Sequence, residues 1–216
     1  MSVQLYSLSG SPFGWRVQLA LEHLAVPYAT TMLSPDRGDT REPGFLALNP
    51  HGKLPVIVDG ATTIYESDVI VEYLEDAHPQ PGASLWPGSA VARALARRIA
   101  AEASAYVYPP VRLLATRWAG RPDPGLDRAT LDETKRTVAE QMEIIAPSVA
   151  DGFVAAARPG AADYALYPLV ALLMRLDTRR PGETLTSLIP PELHAWAGRI
   201  ESLAYFARTY PPHWKN

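Results

Sequence analysis

The ten residues 79–88, PQPGASLWPG, constrain this chain more than any other stretch. Three prolines and two glycines interrupt both helix and strand, so no regular element crosses them. The chain must change character there, and the two sides differ in texture.

Residues before the break read as mixed α/β. VQLYSL is a short strand. A helix follows from Pro12, with Phe13, Val17, Ala20, Leu21 and Leu24 at helical spacing. VPYATTML is a second strand. PVIVDGATTIYE reads as a hairpin turning at Asp59-Gly60. A helix from Ser67 to about His78 closes the unit, with Val69, Ile70, Tyr73 and Leu74 on its apolar face.

Residues after the break read as helix throughout. One segment runs from Ser89 to Ala119, broken or bent at Pro109-Pro110. Another begins near Asp127 and carries Leu131, Thr134, Val138, Met142, Ile145 and Val149 in one seam. AADYALYPLVALLMRL is apolar almost all round, as a buried helix is. Two short helices follow Pro191. The predicted architecture is α/β plus all-α: a domain over 1–79, a linker over 80–88 and a helical domain over 89–216.

With 47% apolar and 20% charged residues, the chain can build a sizeable core. A net charge of −3 points to neither nucleic acid nor an anionic membrane as partner. No apolar run reaches membrane-spanning length, and no signal-peptide pattern opens the sequence, so a cytoplasmic protein is expected. Cysteine is absent, which excludes a thiol nucleophile supplied by the protein. The five histidines show no metal-ligand spacing, and no metal is expected.

Locally, SGSPFGWRVQLALE (residues 9–22) supports a capped amphipathic helix. Ser11 stands where a hydroxyl accepts from a backbone N–H of the first turn, and Pro12 suits the first helical position. The same hydroxyl keeps a proton to donate, beside a helix N-terminus that favours an anion. Ser67 is read as a second cap, leaving free N–H groups that could cradle a carboxylate. Arg16 is read as structural and Asp163 as a helix cap in the core. His51 is read as lining a loop, and His213-Trp214 as a frayed end or a cover over a pocket.

SPFGWRVQLALE, NPHGKLPVIVDG and IYESDVIVEYLED occur in that order within the first 80 residues. Together they resemble the motifs of the cytosolic glutathione transferases, serine-type, closest to the plant tau and bacterial tau-like or phi-like groups. GAADYALYP resembles that family's helix-capping segment, with Gly160 in place of Ser or Thr and one reciprocal bond lost. The resemblance implies a thioredoxin-like first domain, a helical-bundle second domain and a homodimer. It implies glutathione as co-substrate, a small apolar or aromatic electrophile as the other reactant, and a role in detoxification.

By that resemblance Ser11 is the catalytic serine, donating to the glutathione thiolate. Phe13 belongs to the same site and to the wall of the electrophile pocket. Leu54–Pro55 is a cis peptide that presents the Leu54 backbone to the cysteinyl amide, against a trans proline that merely starts a strand. Glu66 and Ser67 hold the γ-glutamyl end. Lys53, one of three lysines, pairs with the glycine carboxylate, with Arg37 and Arg41 as rivals. Tyr106, Tyr108 and Arg112 are candidates for a second-substrate pocket between the domains, against a core tyrosine stripe.

Two rival functions stand beside conjugation. WRV suggests a zeta-like glutathione-dependent cis–trans isomerase, although Ser11-Pro12-Phe13 departs from the Ser-Ser-Cys run of that group. A transferase-like binding protein without turnover is the other, and Ser11, Pro55, Glu66 and Ser67 speak against it.

Overall fold

A computed structural model describes residues 2–86, 88–118, 127–149 and 152–215. Contacts group Met1–Leu85 with Ala204–Asn216 into one unit and Trp86–Leu203 into another. The closing residues, which the sequence division places with the helical domain, thus group with the first unit.

The first unit is built on four strands, β1 (Val3–Ser7), β2 (Tyr28–Met32), β3 (Val56–Asp59) and β4 (Thr62–Tyr65), in the order β2-β1-β3-β4. β1 runs parallel to β2, from Val3↔Tyr28 to Ser7↔Met32. It runs antiparallel to β3, which pairs antiparallel with β4. The result is a thioredoxin-like mixed sheet. Parallel pairing needs a crossover, and α1 (Pro12–His23) supplies it. Gly60 turns the hairpin at φ +60°.

β1 alternates strictly, with Val3, Leu5 and Ser7 buried. α1 buries Val17, Ala20 and Leu21, with Leu24 buried at its C-cap, and also Trp15 and Leu19. α2 (Pro43–Leu48), not foreseen from the sequence, covers the opposite face, where the Phe45 ring meets Tyr6 edge-on at 6.2 Å. A six-residue helix has too few turns to show a period. α3 (Ser67–Ala77) packs on α1 and buries Ile70, Val71 and Leu74. Val69, expected on the apolar face, is instead 54% exposed, and Val71 takes its place.

α1 and β1 interlock at one point. A Cβ on Gly14 would stand 2.1 Å from the Ser7 hydroxyl oxygen, so only glycine lets the first turn of α1 sit this close. That hydroxyl is itself buried with no hydrogen-bond partner among the described residues. Gly14→Ala is therefore expected to cost about 2 kcal/mol through overpacking. Adding Ser7→Ala should recover most of the loss, because the next nearest atom, the Ser7 Cβ, lies at an ordinary 3.4 Å. Urea denaturation of the single and double variants measures both.

The segment expected to fray is ordered by aromatic packing. Trp15 donates from its indole N–H to the Thr209 hydroxyl at 2.9 Å, beside α9 (Phe206–Thr209). Its ring meets Tyr210 at 5.8 Å and Trp214 at 5.4 Å, both edge-on. Trp214 is buried. A chain end frays only where nothing ties it down, and here an aromatic cluster does.

In the second unit, α4 (Ala90–Glu102) leads into a π-helical stretch, Ala103–Val107, and then α5 (Tyr108–Trp118). The prolines thus do not break the helix. Pro109 and Pro110 lack N–H donors and would clash with carbonyls four residues back. The wider turn accommodates them, with Tyr108 N–H donating to the Ala103 carbonyl. Ala119, the expected end, lies outside the described residues. α6 (Arg128–Ile145) starts on Asp127, whose carboxylate accepts from Thr130 N–H at 2.8 Å. Its seam is buried as expected, from Leu131 to Val149 in the following turn.

α7 (Ala161–Arg179) is the buried centre of this unit, in contact with α4, α5 and α8 (Pro191–Glu201). Asp163 serves its N-terminus. The carboxylate accepts from Gly160 N–H at 2.8 Å, which is the half of the capping box that survives without a Ser or Thr hydroxyl. It also accepts from Val154 N–H at 2.9 Å and from the Trp196 indole at 2.7 Å. Burial pushes its pKa up to about 6, against the pull of those donors.

Among the described residues, no helix is long and apolar enough to cross a membrane.

Candidate active site

Strand register brings the three motifs to one end of the sheet. Tyr6 pairs with Val56, and Val56 with Tyr65. The loop leaving β1 toward Ser11, the Leu54–Pro55 peptide entering β3 and the Glu66-Ser67 pair leaving β4 therefore all emerge beyond that one row. β1 also changes partner sense here, parallel to β2 on one side and antiparallel to β3 on the other.

Ser11 caps α1. It is extended at φ −69° and ψ 125°, and its hydroxyl oxygen accepts from Gly14 N–H at a long 3.5 Å. The hydroxyl is half-buried, and its own proton has no acceptor among the described residues. Phe13, also half-buried, is the second residue of α1 and lies under the Arg16 guanidinium at 5.6 Å.

Arg16 is only 3% exposed, which is rare for a guanidinium. It donates to the Asp68 carboxylate and, at 3.4 Å, to the Ser67 hydroxyl. Burial pulls its pKa down and Asp68 pulls it back up. Arg16 thus ties the first turn of α1 to the first turn of α3 and leaves a buried cation behind both. The sequence marks it only as one arginine inside an apolar helix face.

At α3 the cap lies one residue earlier than expected. Glu66 is the N-cap, at φ +69° and ψ 112°, and Ser67 is the first helical residue. A positive φ at a glutamate is a strained backbone of the kind held at binding sites. It turns the chain so that the Ser67, Asp68 and Val69 N–H groups face outward from the helix start without acceptors among the described residues. The Glu66 side chain is exposed and makes no cap bond.

Leu54–Pro55 is cis. The loop before it is held by Asn49, a buried side chain that donates to the Lys53 carbonyl at 2.9 Å and accepts from His51 N–H at 3.0 Å. Gly52, at φ +61°, approaches the Thr40 carbonyl so closely that a Cβ would stand 3.0 Å from it. Lys53 and Arg41 each follow one of these touching residues. Both side chains are exposed, with no carboxylate partner among the described residues. Arg37 differs, because it donates to Asp39 at 2.9 Å.

Tyr106, Tyr108 and Arg112 belong to the second unit. Tyr106, in the π-helical stretch, is 60% exposed and is not a core residue. Tyr108 is half-buried and Arg112 exposed. An open groove of about 620 Å³ runs between α5 and α6, lined by Pro109, Pro110, Leu113, Thr130, Glu133 and Arg136 among others. None of the three candidates lines it. Among the described residues, no three carboxylate or imidazole groups gather as a metal site.

Residues 5–82 match the family described as Glutathione S-transferase, N-terminal domain. Glutathione S-transferase 3 of Zea mays is 27% identical over 210 residues, covering 96% of this chain and 92% of that one. Maleylacetoacetate isomerase of Pseudomonas aeruginosa is 36% identical over 110 residues, a segment covering 50% of this chain and about half, 51%, of the relative. The crystal structure of a glutathione transferase homolog from Drosophila mojavensis, with bound glutathione, superposes with a TM-score of 0.79 at 23% identity, over 99% of this chain and 92% of that one. Over residues 5–82 the chain therefore carries a glutathione S-transferase N-terminal domain, and a relative that aligns along its length is a glutathione S-transferase.

Proposed function

We propose that the protein conjugates glutathione to a small electrophile, with Ser11 stabilising the thiolate. The observation that carries this reading is the Ser11 hydroxyl at the N-terminus of α1, its oxygen turned to Gly14 N–H and its proton unclaimed. A free cysteinyl thiol has a pKa of about 8.5. A hydroxyl donor and the positive end of a helix both favour the anion over the thiol. The thiol proton leaves to solvent. The sulfur lone pair then forms the C–S bond, while the electrophile's leaving group departs with its electron pair.

The remaining residues hold the tripeptide. The Leu54 backbone at the start of β3 pairs with the cysteinyl amide, and Phe13 flanks the sulfur. The γ-glutamyl carboxylate lies on the open N–H groups of α3, with Glu66 accepting from the ammonium and Ser67 held by Arg16. Lys53 and Arg41 take the glycine carboxylate, whereas Arg37 is engaged by Asp39. A homodimer in the cytoplasm, acting in detoxification, completes the reading.

Lys53→Ala or Arg41→Ala should each raise KM for glutathione about tenfold, the loss expected for one charge-assisted contact, with kcat within twofold. Steady-state kinetics at low and high salt checks this, and the loss should shrink as salt screens the exposed cations.

The match to the P. aeruginosa isomerase favours one alternative, a glutathione-dependent cis–trans isomerisation. Assay with maleylacetoacetate and with a panel of aromatic halides separates the two. Turnover of maleylacetoacetate with no conjugate formed would replace the present reading.

A further inference from the structure

We propose that His213 is a positioning residue for the loop that carries Ser11. The proposal rests on the thiolate reading above and extends it to a segment two hundred residues away in sequence.

β1 ends at Ser7 and α1 begins at Pro12, so Leu8–Ser11 alone sets where the Ser11 hydroxyl stands. Two contacts hold this loop from outside. The His213 Nδ1 lies 2.9 Å from the Ser9 hydroxyl oxygen. With the imidazole proton on Nε2 the hydroxyl donates to Nδ1, and in the other tautomer Nδ1 donates to it.

The second contact is steric. Gly10, at φ +78°, lies so close beneath the tail that a Cβ would stand 3.0 Å from the Trp214 indole nitrogen and 3.1 Å from the His213 ring. Glycine is required there twice, for the backbone angle and for the approach. Trp214, seated edge-on against Trp15 of α1, anchors the tail on the helix that Ser11 caps. The tail therefore touches the loop at Ser9 and Gly10, and the helix at Trp15.

The chemistry gives His213 a specific task. The Ser11 backbone is tied by Trp15 N–H donating to its carbonyl at 2.9 Å and by its own N–H donating to the Leu8 carbonyl at 3.0 Å, but its hydroxyl is held only by the long 3.5 Å contact with Gly14 N–H. A loop free to shift by an ångström would lose the alignment of hydroxyl and sulfur, on which a charge-stabilising donor depends. The Ser9–His213 bond removes that freedom two residues upstream. Imidazole is exposed here, and its replacement leaves the Trp15–Trp214 packing in place.

The test compares wild type, Ser11→Ala, His213→Ala and His213→Asn. It reads the thiolate absorbance of bound glutathione against pH, together with kcat and KM. The amide of asparagine can meet the Ser9 hydroxyl from near the Nδ1 position. The expected result is a bound-thiol pKa raised by about half to one unit in His213→Ala. That corresponds to an about two- to fivefold lower kcat at pH 6.5, with KM for glutathione within about twofold. His213→Asn should return both to within about twofold of wild type, as rescue of a single hydrogen bond would.

The proposal is overturned if His213→Ala leaves thiol pKa and kcat unchanged while Ser11→Ala alters them. It is equally overturned if His213→Asn is no better than alanine. A wild-type protein that binds glutathione without lowering its thiol pKa overturns the thiolate reading itself, and the positioning role with it.

Discussion

Replacing Ser11 with alanine is expected to lower kcat/KM for conjugation about 50-fold at pH 6.5 and about 100-fold at pH 5.5, in the range seen when one preorganised donor to a developing or stabilised anion is removed. The argument is electrostatic. The hydroxyl proton is the only donor that Ser11 brings, and alanine leaves the sulfur with the helix N-terminus alone. A thiol pKa raised by about two units reduces the thiolate fraction about 100-fold wherever the pH lies below both values. The sign fixes the pH profile. The defect should be full at acid pH and shrink as pH rises past the thiol pKa of the variant, where both enzymes carry thiolate. Binding should change little, because glutathione keeps its carboxylate and backbone contacts. A uniform loss at all pH values would mean that Ser11 positions substrate rather than stabilises the anion. The cap itself contributes only modestly to stability, since its contact with Gly14 N–H is long.

The second large effect is on stability, at Asp163. Asp163→Ala is expected to destabilise the protein by about 3–5 kcal/mol, because three buried donors lose their acceptor at once. Those donors are the N–H groups of Gly160 and Val154 and the Trp196 indole. Asp163→Asn should cost less. Its carbonyl can serve Val154 and Trp196, which share one carboxylate oxygen in the wild type, while its NH2 faces Gly160 N–H unfavourably.

Asp163 also sets a pH slope. Its pKa in the fold is raised to about 6, above about 3.9 in an unfolded chain. Between those values the folded state binds the proton more tightly. Asp163's contribution therefore falls as pH rises from about 4 to about 6 and is level above that. Chemical denaturation across this range should show the slope in wild type and lose that component in Asp163→Asn.

How far the sequence disclosed this protein depends on how local each signal is. The seam of α6 was legible because six apolar or small positions repeat at helical spacing over eighteen residues or more. Ser11, Pro55 and Ser67 were legible because each sits at an element boundary marked by proline or by a capping residue. The Glu66 cap was not, because a left-handed glutamate has no propensity signature and its geometry comes from the turn around it. The ordered tail was missed for a different reason. Pro211, Pro212 and His213 look like a loose end until Trp15 and Trp214 meet. The buried Arg16 depends likewise on Asp68, fifty-two residues on. Pairings at that separation carry no local pattern. Arg41 and Lys53 are comparable only through the approach of Gly52 to the Thr40 carbonyl, a contact that twelve residues of separation hide.

The most direct test of the thiolate account is an ultraviolet pH titration of glutathione bound to the wild-type protein. The account predicts thiolate absorbance that develops at least one unit, and about two, below the midpoint of free glutathione, with Ser11→Ala returning the midpoint toward the free value. A bound thiol that titrates with the midpoint of free glutathione would contradict it.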